Sequence, residues 1–313
     1  MEYKQVYPEQ FHKVLFLMNR NSGKQIFASM IARVNETVNL LRQALPQTQV
    51  DFYAVREFAE LPEIAYRTKH EGYEWVIIAG GDGTIRAMID LLLHEDCHPY
   101  ISVFPAGTVN LIAKELSLSI EPQRWVCRVI RGLAQPVYLG RANGSIFLTV
   151  AGVGFDSLVV DNVSLLQKKL LSKFAYLLTG GETMSKELLI SHWRYVFQVQ
   201  LDGDPTWHQA ASVIVGKSRY YAGRYSLFSG AGLSDPYLHV ALFTGSKRAD
   251  FLKYATLIAI EALNSDKSII IKKTKRLKIR CNEEEFPVEL DGDAVTNTPL
   301  TLEIVDEPCY FLV

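Results

Sequence analysis

Apolar runs alternate with helically spaced stretches over the first third of the chain. Lys13–Met18 (KVLFLM) reads as a buried strand, followed by the polar turn Asn19-Arg20-Asn21-Ser22-Gly23 and an amphipathic helix from about Lys24 to Ala44. Val50–Val55 is a second strand and Pro62–Lys69 opens a second helix. Trp75–Ala79 (WVIIA) is a third strand. Gly80-Gly81-Asp82-Gly83-Thr84 follows it, then a helix with Ile85, Met88, Ile89 and Leu92 on one face. Ile101–Phe104 is a fourth strand, leading through Pro105-Ala106-Gly107-Thr108 into a helix over Val109–Leu116. Repeated strand–turn–helix units with short connections predict a parallel sheet covered on both faces.

Beyond about Gln135 the pattern becomes β-type. Ile146–Val150, Tyr195–Leu201, Ser212–Val215, His239–Phe243, Ile269–Ile271, Leu277–Arg280, Val288–Leu290 and Leu300–Val305 are strand-like, and several alternate apolar with polar residues. Helical spacing returns only over about Val160–Leu178 and Ala249–Leu263. The expected architecture is a Rossmann-like α/β nucleotide-binding domain over residues 1–135 and a β-rich, sandwich-like domain over 136–307. The last segment, 308–313, is expected to return as a strand to the first domain.

Composition narrows the classes. The 313 residues carry 48% hydrophobic and 21% charged side chains, which suits a folded chain of two domains. A net charge of −1 gives no global field for nucleic acid. No apolar run approaches the roughly 20 residues of a membrane span, and Met1 to Phe11 is too polar for a signal peptide. Cys97, Cys127, Cys281 and Cys309 form no CxxC pair, which speaks against a zinc site or disulfide framework and suggests a reducing cytoplasm. The seven histidines include no HExxH spacing.

Candidate chemistry sits where parallel strands end. The glycines of Gly80–Thr84 let the backbone approach a ligand, and N–H groups at the following helix start suit phosphate oxygens. Thr84 can cap the helix or donate to phosphate. Asp82 would repel bare phosphate, and makes sense facing Mg²⁺ or an acceptor hydroxyl. Residues 105–110 (PAGTVN) repeat the logic one unit later, with Gly107 for close approach, Thr108 placed to cap and Asn110 as a neutral donor. Asn19, Ser22 and Gly23 offer a third wall. Neither a Walker P-loop nor, in the first unit, a GxGxxG fingerprint is present. Glycine-rich connections with ordinary helix caps are the simpler reading of each turn.

The ordered set Asn19…Ser22-Gly23, GGDGT at 80–84, PAGTVN at 105–110, AGVGFD at 151–156 and DGD at 291–293 resembles the diacylglycerol kinase catalytic-domain superfamily. The resemblance is strongest to the bacterial soluble lipid kinases, with sphingosine and ceramide kinases, and then NAD kinases, as more distant relatives. It implies ATP- and Mg²⁺-dependent transfer of the γ-phosphoryl group to a lipid hydroxyl, diacylglycerol-like or sphingoid, in a cleft between the domains. Gly80, Gly81, Asp82, Gly83, Thr84, Gly107 and Thr108 would hold nucleotide. Asp291 and Asp293 would form the acidic pair that readies the hydroxyl, with Asp82 as a third catalytic acid. Spacing alone does not choose between Asp291–Asp293 and the similar Asp202–Asp204; only the order of motifs favours the former.

The chain departs from the superfamily pattern at Arg20, Leu111, Tyr138, Ser234-Asp235-Pro236 and the shortened DGD. The resemblance implies a structural metal at Asp235 with carbonyls of Gly232 and Tyr237. Two rivals follow: a kinase of a soluble acceptor, as NAD kinases are, and an inactive lipid- or nucleotide-binding homologue. Lys272–Arg280 is a dense basic segment, and residues 165–178 mix lysines with leucines. Both are candidates for contact with an anionic membrane surface by a cytoplasmic, peripheral enzyme, and equally for a solvated strand and a packed helix. Oligomeric state is open, a homodimer included.

Overall fold

The computed structural model describes residues 3–21, 27–154, 196–221, 225–282 and 285–313. Ser22, Gly23, Asp156 and the helical stretch expected over 160–178 lie outside these. The chain divides into two compact units, Met1–Tyr138 with Glu307–Val313, and Leu139–Asp306.

The first unit is built on one sheet. Gln49–Val55, Lys13–Asn19, Trp75–Gly80 and Tyr100–Pro105 lie side by side and parallel. Cys309–Leu312 comes next, parallel to Tyr100–Pro105, then Leu133–Val137 antiparallel to it, with Lys4–Gln5 at the edge. Helices Phe27–Ala44, Leu61–His70, Asp82–His94 and Pro122–Val129 join the strands. The central strands are buried almost throughout, because helical crossovers cover both faces of a parallel sheet. A hydrogen-bond chain crosses this core: Trp75 Nε1 donates to Ser102 Oγ at 3.0 Å, and Ser102 Oγ donates to Leu312 O at 2.9 Å.

Lys13–Asn19 has its first successor on one side and the strand Trp75–Gly80 on the other. The connections therefore diverge between Asn19 and Gly80, leaving a crevice at the carboxyl ends, where ligands of open α/β sheets bind.

The second unit holds two antiparallel six-stranded sheets. One runs Trp207–Ala210, Phe197–Leu201, Arg276–Cys281, Leu300–Ile304, Gly140–Ala142, Ser145–Phe147. The other runs Ile269–Thr274, Leu238–Phe243, Ser212–Gly216, Val150–Val153, Pro287–Leu290, Asp293–Asn297. Alternate burial along Phe197–Leu201 and Leu300–Ile304 shows one face packed and the other wetter. The helix Arg248–Ala259 and the strand Leu238–Phe243 share a cluster in which Tyr254 meets Phe243 edge-on.

Three local expectations are corrected. The strand expected over 146–150 is broken, because the N–H groups of Leu148 and Thr149 turn to the Asp291 carboxylate instead of a neighbouring strand. The helix expected from Val109 begins at Leu111, since Asn110 sits at φ 54°, in the left-handed region. The basic segment is two strands in different sheets that meet at Lys275.

Candidate active site

The two glycine turns of the first unit touch. A Cβ on Gly107 would lie 2.4 Å from the Gly81 Cα, and one on Gly80 would strike Thr84 at 2.8 Å, so only glycine permits this approach. Asn110 fastens the second turn on itself: Gly107 N–H donates to its Oδ1 and its Nδ2 donates to Gly107 O, each at 2.8 Å. Thr108 is exposed at the tip.

Asp82 joins the turns. Its two carboxylate oxygens accept from the backbone N–H groups of Leu111 (3.0 Å) and Ile112 (3.1 Å), which no intrahelical carbonyl can serve. The expectation that Asp82 faces metal or the acceptor hydroxyl is thus revised: its observed work is to cap the helix Leu111–Glu115. Thr108 was expected to cap this helix and Thr84 the helix Asp82–His94, and neither helix has a side-chain cap at its N-cap residue. The buried Thr84 hydroxyl instead accepts from Asn19 Nδ2 at 2.9 Å, tying the end of the strand Lys13–Asn19 to the first turn of the helix Asp82–His94. Asn19, Gly80–Thr84, Gly107, Thr108 and Asn110 are therefore one constellation within this unit.

In the second unit, Asp291 and Gly292 both have positive φ (52° and 94°), as a two-residue hairpin turn of the primed type requires. The Asp291 residue is half-buried, but its carboxylate is enclosed. It accepts from Leu148 N (2.8 Å), Thr149 N (2.7 Å), Thr149 Oγ1 (2.6 Å) and Val150 N (3.1 Å). Burial pushes its pKa up, against those four donors. Such a group anchors the turn and has little freedom to act as a base. Asp293, two residues on, is exposed. Buried Glu289 braces the same turn by accepting from Gly292 N–H.

The rival turn is different. Asp204 accepts from Thr206 N (2.8 Å) and pairs with His208 Nε2 at 3.0 Å, closing its own hairpin. His208 and Thr206 hold its carboxyl down to about 2.

The metal expected at Asp235 finds its ligands engaged. Asp235 Oδ2 takes hydrogen bonds from His239 Nε2 (2.7 Å) and Lys273 Nζ (3.0 Å), Gly232 O accepts from Asp235 N–H (2.9 Å), and Tyr237 O accepts from Lys217 Nζ (3.1 Å). Among the described residues no group of three or more His, Cys, Asp or Glu side chains is placed to hold a metal ion. The residues present do not fit that ion. Lys273, expected to face a membrane, is committed to Asp235.

Thr149, Glu289 and Lys217 were not singled out by the sequence. A lone threonine or lysine carries no motif, and only the fold encloses them.

Residues 13–142 match the diacylglycerol kinase catalytic domain, and residues 149–310 match the YegS C-terminal NAD kinase beta sandwich-like domain. A diacylglycerol kinase of Bacillus subtilis (strain 168) is 27% identical over 278 residues, 88% of each chain. One from Staphylococcus carnosus (strain TM300) is 25% identical over 277 residues, 88% of this chain and 87% of that one. A crystal structure of a diacylglycerol kinase from Bacillus anthracis str. Sterne has a TM-score of 0.75 at 20% identity and covers 97% of each chain. At that identity the likeness is one of fold. Among the described residues no helix is long and apolar enough to cross a membrane.

Proposed function

The chain belongs to the diacylglycerol kinase catalytic-domain superfamily, and from that premise we propose that it moves the γ-phosphoryl group of ATP onto the hydroxyl of a diacylglycerol-like lipid. The observation that carries this reading is the backbone contact of Gly81 with Gly107 at the carboxyl edge of the parallel sheet. A surface without Cβ atoms there admits a triphosphate against main-chain N–H groups.

In this reading Gly80–Thr84, Gly107 and Thr108 hold the nucleotide, while Asn19 and Asn110 fix the shape of the turns. Mg²⁺ bound with ATP would supply neutralisation of phosphate charge, while Asp82, through its caps on Leu111 and Ile112, keeps the two glycine turns in place. The lipid oxygen bonds to phosphorus as the bond to ADP breaks, and its proton passes to Asp293. Asp291 positions that turn. The lipid is met at the membrane surface from the cytoplasm, and exposed Lys272 and Lys278 are suited to anionic headgroups.

The test is phosphorylation of a total lipid extract with labelled ATP and identification of the product by mass spectrometry. Label in a phosphatidic-acid-like lipid is expected. Label confined to a soluble acceptor, or ATP bound without turnover, would overturn the proposal. Asp293→Ala should abolish turnover with ATP affinity retained, and Asp204→Ala should leave both unchanged.

A further inference from the structure

Lys217 follows the strand Ser212–Gly216 and has no solvent exposure. A lysine is almost never enclosed so completely unless it is paired. Its ammonium donates to the main-chain carbonyls of Asp235 and of Tyr237, the latter at 3.1 Å. Both belong to one turn, which also closes through Asp235 N–H to Gly232 O at 2.9 Å. Carbonyl oxygens converging on a buried positive charge are how proteins hold cations.

We infer that Lys217 is the resident cation of this turn: its ammonium stands in for the structural divalent ion that the superfamily resemblance implies, so the second unit needs no metal of its own.

Three observations carry this. The carbonyl of Tyr237, expected to ligate the ion, faces the ammonium instead, and the Gly232 carbonyl is used within the turn. The carboxylate that would have neutralised the ion already meets Lys273 and His239. The flanking positions, Ser234 and Pro236, supply no second carboxylate. A dication placed here would face the ammonium groups of both Lys217 and Lys273 with a single acid between them.

Protonation states agree. Burial draws Lys217 down to about 8, which leaves it charged at neutral pH. Burial pushes Asp235 upward, but hydrogen bonds from His239 and Lys273 outweigh it and the carboxyl ends below its ordinary value. Burial lowers His239, against the raising effect of Asp235. The lysine is also wired to the acidic hairpin: its N–H donates to Thr149 O at 2.8 Å, and Thr149 grips Asp291.

The experiment uses the full chain without nucleotide, so that no Mg²⁺ held with ATP intervenes. Native mass spectrometry after buffer exchange should find no retained divalent ion, and EDTA should leave Tm unmoved. Lys217→Met, which leaves the carbonyls without a donor, should lower Tm by about 5–10 °C with no recovery on adding Mg²⁺ or Ca²⁺. A variant that fails to fold agrees with that loss, and the wild-type measurement then decides by itself. One retained equivalent of a divalent ion whose removal by EDTA lowers Tm would overturn the inference, as would an unchanged Tm in Lys217→Met. Neither readout uses the kinase assay, so failure here and failure of the proposed activity are distinguishable.

Discussion

Two carboxylates two residues apart, Asp291 and Asp293, differ in burial. Asp291 serves four donors on the segment Leu148–Val150, whereas Asp293 stands exposed on the next strand. Removing Asp291 strands buried N–H groups, so Asp291→Ala should cost about 3–5 kcal/mol in chemical denaturation. Asp293→Ala should stay within about 0.5 kcal/mol of the wild type while losing turnover. Asp204 gives a separate test by pH. Its folded pKa, about 2, lies below the unfolded value of 3.8, so its contribution is present above pH 4 and is lost as pH falls towards 2. Carboxyl NMR titration should show that midpoint near 2, moving up towards the ordinary value in His208→Ala. A midpoint unmoved by that change would mean the imidazole does not hold the charge.

Elements start and stop where a side chain claims the backbone. The helix Leu111–Glu115 is one short turn that could not persist alone, and Asp82 supplies acceptors for its first N–H groups from the start of the helix Asp82–His94. Asp82→Ala should therefore lower Tm by several degrees in the absence of any nucleotide or metal, with Asp82→Asn closer to wild type, since the amide keeps one acceptor oxygen. If Asp82 acted only through bound metal, the metal-free Tm would not move. The break between Ser145–Phe147 and Val150–Val153 has the same origin. There a carboxylate from the distant Asp291 replaces two ladder partners.

At the scale of the whole molecule, the chain end completes the sheet on which it began. Cys309–Leu312 is an interior strand between Tyr100–Pro105 and Leu133–Val137, with Phe311 and Leu312 buried. Deleting residues 308–313 leaves two strand edges facing each other across a gap, with Ser102 deprived of the Leu312 carbonyl. Limited proteolysis should show the first unit digested and ATP binding gone. A truncated chain that binds ATP normally would show that the strand is dispensable.

The parallel core, the glycine turns and the antiparallel second half were legible because they rest on local rules. Apolar runs such as WVIIA, the absent side chains of Gly81 and Gly107, and two-residue periodicity are all readable without knowing the fold. The roles of Asp82, Asp291 and Lys217 were not, because a carboxylate or an ammonium takes its task from the groups brought against it. The partners of Asp82, Leu111 and Ile112, come from the next strand–helix unit, and those of Asp291 from more than a hundred residues earlier. The sequence alone thus determined which backbone can approach a phosphate, and tertiary structure decided which charges are enclosed and which stay exposed. Conformational preference is local, whereas desolvation and hydrogen-bond pairing depend on what burial assembles.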